Sequence, residues 1–480
     1  MTTTYNVPRV VIAALKGGAG KTLITLGVIA ALRKRGWRVA PFKKGPDYID
    51  AAWLAMAGGS PCYNLDRYLF GAEGVRNSFA SHVIGKDLAV VEGNRGWFDG
   101  VDSMGTYSTA DLARVLQAPV VLIVDATKMT RTAAALVMGC QKLEPDIRLA
   151  GVILNKVAGA RHRTVLTEAI ENSAGVPVIG SIHKLMWSRL PQRHLGLLPI
   201  FEHPDSNQFI SQTAELIENQ VNLDALLEIA RAAPPLSTTP TSKGASANLS
   251  PHSPRVKIGV VRDSAFQFYY PENLAALKDH GADLLEVSAL ADAVLPDVHA
   301  LYIGGGFPET HAESLAANVA FKTALKRAVE KGLPVYAECG GLMYLCQSLV
   351  IDDKTFPMAD IFPVKAVLQR RPQGLGYITV RVVRPNPFYP LGKELTGHEF
   401  HYSTLSPPTC LRCDYAFEVL RGTGIGNQRD GLVYRNALGT YTHLHAIGEE
   451  AWASGIIAAA RRFAAVREEN QRSPRLCGEG

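Results

Sequence analysis

Apolar runs of strand length recur through the first half of the chain, at residues 10–14, 39–43, 88–92, 120–124, 149–154 and 176–182. Between them lie segments with helical spacing. Leu23, Leu26, Ile29, Ala30 and Leu32 mark one over 23–35, and residues 110–116 and 133–142 mark two more. A continuous apolar run bounded by turns reads as a strand buried on both faces. Strands alternating with helices predict a parallel α/β sheet with crossover helices. Such sheets bind ligands at the carboxyl ends of their strands.

Residues 232–255 interrupt the pattern. Prolines and small polar residues dominate there, as in Pro234, Pro235, Ser237, Thr238, Pro251 and Pro254, so the stretch reads as a flexible linker. A second α/β alternation follows, with strands at 256–261, 283–287, 300–303 and 334–337 and a helix at 271–280. After Pro363 the pattern turns more to strand, at 377–383 and 415–420, before a closing helix at 449–465. The expected organisation is a P-loop domain over 1–231, a linker over 232–255, a second α/β domain over 256–467 and a polar tail over 468–480.

Composition adds exclusions. The chain has 480 residues, enough for roughly three average domains or two large ones. A net charge of +6, with acids and bases interspersed and no long basic run, gives no reason to expect nucleic-acid binding. No apolar run approaches membrane-spanning length and no signal-peptide pattern opens the chain, so a cytoplasmic protein is expected. Seven cysteines, a sparse and odd set, fit a reducing compartment. Cys410 and Cys413 form one C-x-x-C, but no second pair stands near it, which favours ordinary thiols over a structural zinc.

The sharpest chemistry lies after the first strand, in Lys16-Gly17-Gly18-Ala19-Gly20-Lys21-Thr22. A strand, a glycine-rich turn and a helix make a phosphate cradle: backbone N–H groups converge on an anion and the helix N-terminus adds its dipole. Gly17, Gly18 and Gly20 would form the turn, Lys21 would reach the outer phosphates, and Thr22 would sit on Mg²⁺. Leu15 stands where the strict motif has its first glycine, so the match is to the deviant form K-G-G-x-G-K-T. The second strand runs into Phe42-Lys43-Lys44-Gly45-Pro46-Asp47-Tyr48-Ile49-Asp50, with carboxylates beside lysines. The third ends in Glu92-Gly93-Asn94-Arg95-Gly96-Trp97-Phe98-Asp99-Gly100, with an acid where P-loop proteins keep a metal-associated one.

In the second half, Ala337-Glu338-Cys339-Gly340-Gly341 follows a strand and opens a helix. This is a nucleophile-elbow pattern, in which the helix N-terminus is expected to lower the thiol pKa. Gly304, Gly305 and Gly306 end an earlier strand and could supply an oxyanion hole. A distant histidine should act as base, and Thr442-His443-Leu444-His445 offers two.

Together, P-F-K-K-G-P-D-Y-I-D at 41–50, N-L-D at 64–66 and E-G-N-R-G-W-F-D-G at 92–100 resemble the cobyrinate a,c-diamide synthase family. Its first half is similar to dethiobiotin synthetase and its second to the class I glutamine amidotransferases. The resemblance implies that ATP phosphorylates a substrate carboxylate and that ammonia, released from glutamine, attacks the acyl phosphate. It implies Thr22, Asp47 and Glu92 around Mg²⁺, Lys21 and Lys43 on phosphate, Asp50 and Asp99 as further active-site acids, and Asn155 reading adenine. It carries Cys339 as nucleophile and His443 as base, with His445 the runner-up. Many class I amidotransferases place Glu two residues after the histidine; His445 stands there, leaving a Cys–His dyad as the safer reading. The implied substrates are ATP, glutamine and a tetrapyrrole polycarboxylate, with a sheltered path for ammonia and a possible homodimer. Hydrogenobyrinate and nickel-sirohydrochlorin stay open as alternative substrates. Lys16, which the family does not require, keeps open a deviant-P-loop switch ATPase with a regulatory second domain.

Overall fold

The computed structural model describes residues 3–184, 192–193, 196–197, 199–203, 205–239, 255–406 and 414–472. The chain divides into two compact units, Met1–Ser242 and Lys243–Gly480.

The first unit is built on a seven-stranded sheet in the order Tyr63–Leu65, Val39–Lys44, Leu88–Glu92, Arg9–Ala14, Val120–Asp125, Leu149–Val157, Val178–His183. Every pairing in it is parallel. The expected strands are all present, with small shifts at their ends. Residues Val10, Val11, Ile12, Ala13 and Ala14 are wholly buried, as a strand covered on both faces requires. The helix Lys21–Lys34 carries Arg33 and Lys34 in its last turn, where cations suit the helix dipole. Asp66 caps the helix Arg67–His82 by accepting from the Tyr68 and Leu69 N–H groups, and Ser108 caps Thr109–Leu116 through Asp111 N.

The second unit carries a nine-stranded sheet ordered Ala282–Val287, Val256–Val261, Ala300–Ile303, Val335–Glu338, Ala437–Thr440, Arg429–Tyr434, Asp414–Arg421, Gly374–Val382, Glu394–His401. Its first five strands are mutually parallel and the remainder antiparallel. A separate four-stranded sheet contains Lys354–Pro357, Cys346–Ile351, Phe362–Leu368 and Ser403–Ser406.

Two expected boundaries move. Residues 232–239, read as the start of the linker, are folded: Leu236–Thr238 pairs antiparallel with Thr3–Tyr5, and Leu236 is 2% exposed. The apolar Leu236 outweighs the surrounding prolines by burying itself in the core of the first unit. The closing helix runs Glu450–Arg472, taking in the first part of the expected tail. The rest of the linker, the end of the tail, and Cys410 with Cys413 lie outside the described residues.

Arg9 ties the edge of the first unit together. Its buried guanidinium donates to the carbonyls of Leu116 (2.7 Å), Val7 (3.2 Å), Gln117 (3.3 Å) and Pro234 (2.5 Å), and burial lowers its pKa to about 10. Arg9→Ala strands these carbonyls without a donor. A loss of about 2–4 kcal/mol is expected, read as a lower midpoint of the first thermal unfolding transition; an unchanged midpoint would count against this role.

Candidate active sites

In the first unit, the strand Arg9–Ala14 stops and the chain winds through Gly18 (φ 71°) and Gly20 (φ 94°) into the helix at Lys21. A Cβ at Gly20 would come within 2.4 Å of Asn155 Nδ2, so the turn has no room for a side chain there. The neighbouring strands deliver Lys43 and Glu92 to the same edge of the sheet.

These groups form one cluster. Lys43 Nζ donates to Asp50 Oδ2 at 2.7 Å and to Glu92 Oε1 at 2.8 Å, and lies 3.9 Å from Asp47. The Thr22 hydroxyl donates to Glu92 Oε1 at 2.8 Å and to Asp50 Oδ2 at 3.2 Å. Asp47 accepts from the Asp50 N–H at 2.9 Å. Burial works against the Lys43 charge, but Asp50, Glu92 and Asp47 together hold its pKa well above the usual lysine range. Burial and the neighbouring Asp50 push Asp47 up to about 7, against the pull of Lys43. Burial likewise raises Glu92. Glu92 Oε2 is buried without a hydrogen-bond partner. An acceptor left bare beside Thr22 is suited to a cation, and Mg²⁺ takes few carboxylates when phosphate oxygens complete its shell.

Lys21 Nζ donates to the carbonyls of Arg95 (2.6 Å) and Lys16 (3.2 Å), and burial followed by the nearby Lys43 lowers its pKa. Arg95 is exposed and held at φ 50°. Two residues proposed from sequence are engaged with backbone. Asp99 is exposed and accepts from Gly96 N at 2.9 Å, and the buried Asn155 amide donates to Ala19 O at 2.8 Å, bracing the glycine loop. Lys16 is exposed and lies 3.7 Å from Asp125, which also takes Lys156 at 2.9 Å. Asp125 went unread in the sequence, although it stands at a strand end.

In the second unit, Cys339 sits between the strand Val335–Glu338 and the helix Gly340–Leu345, at φ 48° and ψ −98°. A non-glycine residue at positive φ marks a constrained turn. A Cβ at Gly341 would approach Ile303 O to 2.4 Å, which explains the second glycine. The Cys339 Sγ donates to Phe400 O at 3.6 Å. The expected lowering of the thiol pKa does not occur. Burial pushes it well up, Glu309 adds to that, and a helix of six residues offers too little dipole to reverse it.

Gly305 and Gly306 pair with Phe266–Phe268 and lie against the nucleophile turn: a Cβ on Gly340 would be 3.0 Å from Gly306 N. Gly304 corrects the sequence reading, because its N–H already donates to the Tyr269 hydroxyl at 2.8 Å. His443 reaches the same place, since a Cβ on Gly305 would meet His443 Cε1 at 2.9 Å.

The segment leading to His443 is fixed by the buried Asp430, which accepts from the Thr440 and Thr442 hydroxyls, each at 2.6 Å. His443 Nδ1 lies 3.3 Å from Glu338 Oε2. His398 stacks on it with centroids 4.9 Å apart, and their backbones exchange hydrogen bonds of 3.0 and 2.8 Å. Burial, then the neighbouring His443 and His445, hold the His398 pKa well below the usual histidine range. The Tyr270 hydroxyl is 2.7 Å from His398 Nε2. His445 instead pairs with Glu272 at 3.6 Å and accepts from Ile447 N through Nδ1. Glu338, His398 and Tyr270 were not assigned from sequence. The stretches 266–273 and 397–403, which hold Tyr270 and His398, resemble the family but gave no role from sequence, and Glu338 went unread beside the candidate nucleophile.

Residues 10–197 match the CobQ/CobB/MinD/ParA nucleotide binding domain, and residues 257–451 match the CobB/CobQ-like glutamine amidotransferase domain. The cobyrinate a,c-diamide synthase of Magnetococcus marinus is 40% identical over 451 residues, 94% of this chain and 96% of the relative. The enzyme of that name from Archaeoglobus fulgidus is 40% identical over 93% of this chain and 96% of its own length. That from Methanosarcina acetivorans is 37% identical over 96% and 97%.

The chain belongs to the cobyrinate a,c-diamide synthase family. As a member of that family, with one nucleotide-binding and one amidotransferase domain, it is a glutamine-dependent amide ligase that uses ATP. The nucleotide domain alone is shared with MinD and ParA. The amidotransferase domain and the full-length relatives do not favour the switch-ATPase reading. Among the described residues no helix is long and apolar enough to cross a membrane.

A raised thiol pKa has a direct consequence. In glutamine-free protein at pH 8, iodoacetamide should label Cys339 more slowly than it labels free glutathione, scored by peptide mass mapping. Faster labelling than glutathione would mean a resting thiolate and contradict the buried, neutral thiol.

Proposed function

We propose that the protein amidates the a- and c-acetate carboxylates of cobyrinate in cobalamin biosynthesis, with ATP activating each carboxylate and glutamine supplying the nitrogen. The observation that carries this reading is the presence, in one chain, of the Lys43–Asp50–Glu92–Thr22 cluster behind a glycine loop and a Cys339–His443 elbow site. Relatives of that name align along more than nine-tenths of the chain.

In the synthetase unit, Gly17, Gly18 and Gly20 shape the loop whose N–H groups hold the triphosphate. Lys21 leaves its two backbone carbonyls to meet the outer phosphates, and Lys43 neutralises charge on the transferred group. Thr22, Asp47 and Glu92, one of whose oxygens has no partner, would hold Mg²⁺, which would supply charge neutralisation on the phosphates. Asp50 keeps Lys43 in place, Asp99 holds the Gly96 turn, and Asn155 lies at the nucleotide side of the loop. A carboxylate oxygen of the substrate takes the γ-phosphoryl group and ADP leaves. Ammonia then attacks the acyl carbon and phosphate leaves.

In the amidotransferase unit, His443 takes the Cys339 proton as Sγ attacks the glutamine amide carbon. The developing oxyanion faces the N–H groups of Gly305 and Gly306. His443 returns the proton to the leaving nitrogen, ammonia departs, and water hydrolyses the thioester to glutamate. His445, paired with Glu272, is less well placed than His443 to be the base. The further expectations are a cytoplasmic enzyme, a homodimer and no nucleic-acid or membrane partner.

Cys339→Ala separates the two half-reactions. Glutamine-driven amidation should fall below detection while ammonia-driven amidation persists; loss of both would contradict the division of labour. Lys21→Ala should lower amidation with either nitrogen source by about 10²-fold or more. Mass spectrometry of products from cobyrinate, hydrogenobyrinate and nickel-sirohydrochlorin identifies the tetrapyrrole, and amidation of either alternative in preference to cobyrinate would overturn the substrate assignment.

A further inference from the structure

We infer that Glu338 is the positioning carboxylate of the glutaminase site, acting from the residue next to the nucleophile in place of a glutamate two residues after the histidine. The inference rests on the reading of Cys339 and His443 as the glutaminase pair. For His443 to take the thiol proton, one ring nitrogen must be a free acceptor and the other must carry hydrogen. A carboxylate at Nδ1 fixes that tautomer and stabilises the imidazolium that forms. Glu338 Oε2 stands 3.3 Å from His443 Nδ1.

Three further observations make this a built arrangement. Glu338 is wholly buried on a central strand, in parallel register with Thr440, three residues before His443. The buried Tyr302 hydroxyl donates to the same Oε2 at 3.2 Å and so fixes the carboxylate that faces the imidazole. The other oxygen, Oε1, is buried with no hydrogen-bond partner.

The other buried acids nearby are otherwise engaged. Asp430 is taken by Thr440, Thr442 and the Tyr441 N–H. Glu399 accepts from the N–H groups of Thr423 and Gly424 and lies 3.5 Å from His401. Glu272 faces His445. No proton passes to Glu338 in this role. It acts through His443, by orientation and charge.

The test compares Glu338→Gln, Glu338→Asp and Glu272→Gln in the full chain, with steady-state glutamine hydrolysis as the readout and ammonia-driven amidation as the folding control. Glu338→Gln should lower kcat by about 10²-fold or more while KM for glutamine stays within about threefold. Glu338→Asp, which keeps the charge, should recover at least about tenfold over the glutamine variant, and Glu272→Gln should stay within about threefold of the parent. The inference is overturned if Glu338→Gln keeps kcat within about threefold, if Glu272→Gln causes the larger loss, or if ammonia-driven amidation falls in parallel. Glutamine hydrolysis that survived Cys339→Ala would instead overturn the underlying reading of the site.

Discussion

Both units depend on the same constraint: a central parallel strand must lead through a short turn into a helix, with close packing at particular glycines, Gly20 in the first and Gly341 in the second. In the first unit, Ala14 gives way to the glycine loop and the helix at Lys21. In the second, Glu338 gives way to Cys339 at positive φ and the helix at Gly340. Parallel strands carry their carboxyl ends to one edge, so each such turn meets the polar ends of its neighbours. Gly96 shows how tight the meeting is. A Cβ there would lie 2.4 Å from Asp99 Oδ2 and 2.7 Å from Leu15 O.

The two units handle buried charge in opposite ways. The first surrounds an ammonium with acids. Lys43 is 1% exposed and is held by Asp50 and Glu92. Burying either ion alone would cost several kcal/mol, so the cluster holds only as a set, and removing one member leaves an uncompensated charge. Within the set, Glu92 Oε2 is buried without a hydrogen-bond partner. The second unit keeps its nucleophile neutral. Burial and nearby acids push the Cys339 thiol up, so under the proposed mechanism proton removal is coupled to attack and falls to the His443 imidazole. A neutral His398 stacked on His443 adds packing without adding charge.

What the sequence revealed, and what it did not, follows from the range of each interaction. The loop at Lys16–Thr22 and the elbow at Cys339 are local: strand, glycines and helix lie within a few residues, and the pattern can be read directly. The parallel strands of the first unit were equally legible, because burial on both faces makes each one a continuous apolar run. The contact of Glu338 with His443 joins a strand residue to one just past the end of the neighbouring strand, and the register of Val335–Glu338 against Ala437–Thr440 brings them together. The same holds for His398, whose place depends on a bridge to His443. Residues 232–239 misled because proline and threonine content suggested a linker while Leu236, a single apolar side chain, secured a strand. Gly304 misled because a glycine-rich turn cannot reveal that the Tyr269 hydroxyl has taken one of its N–H groups.

The central claim is that ATP activates a carboxylate, so that phosphate leaves carrying an oxygen from the substrate. Cobyrinate labelled with ¹⁸O in its acetate carboxylates, incubated with the enzyme, ATP and glutamine, tests it directly. The account predicts that each amide formed is matched by one ¹⁸O in the inorganic phosphate released. Amide formation with phosphate free of ¹⁸O would contradict it.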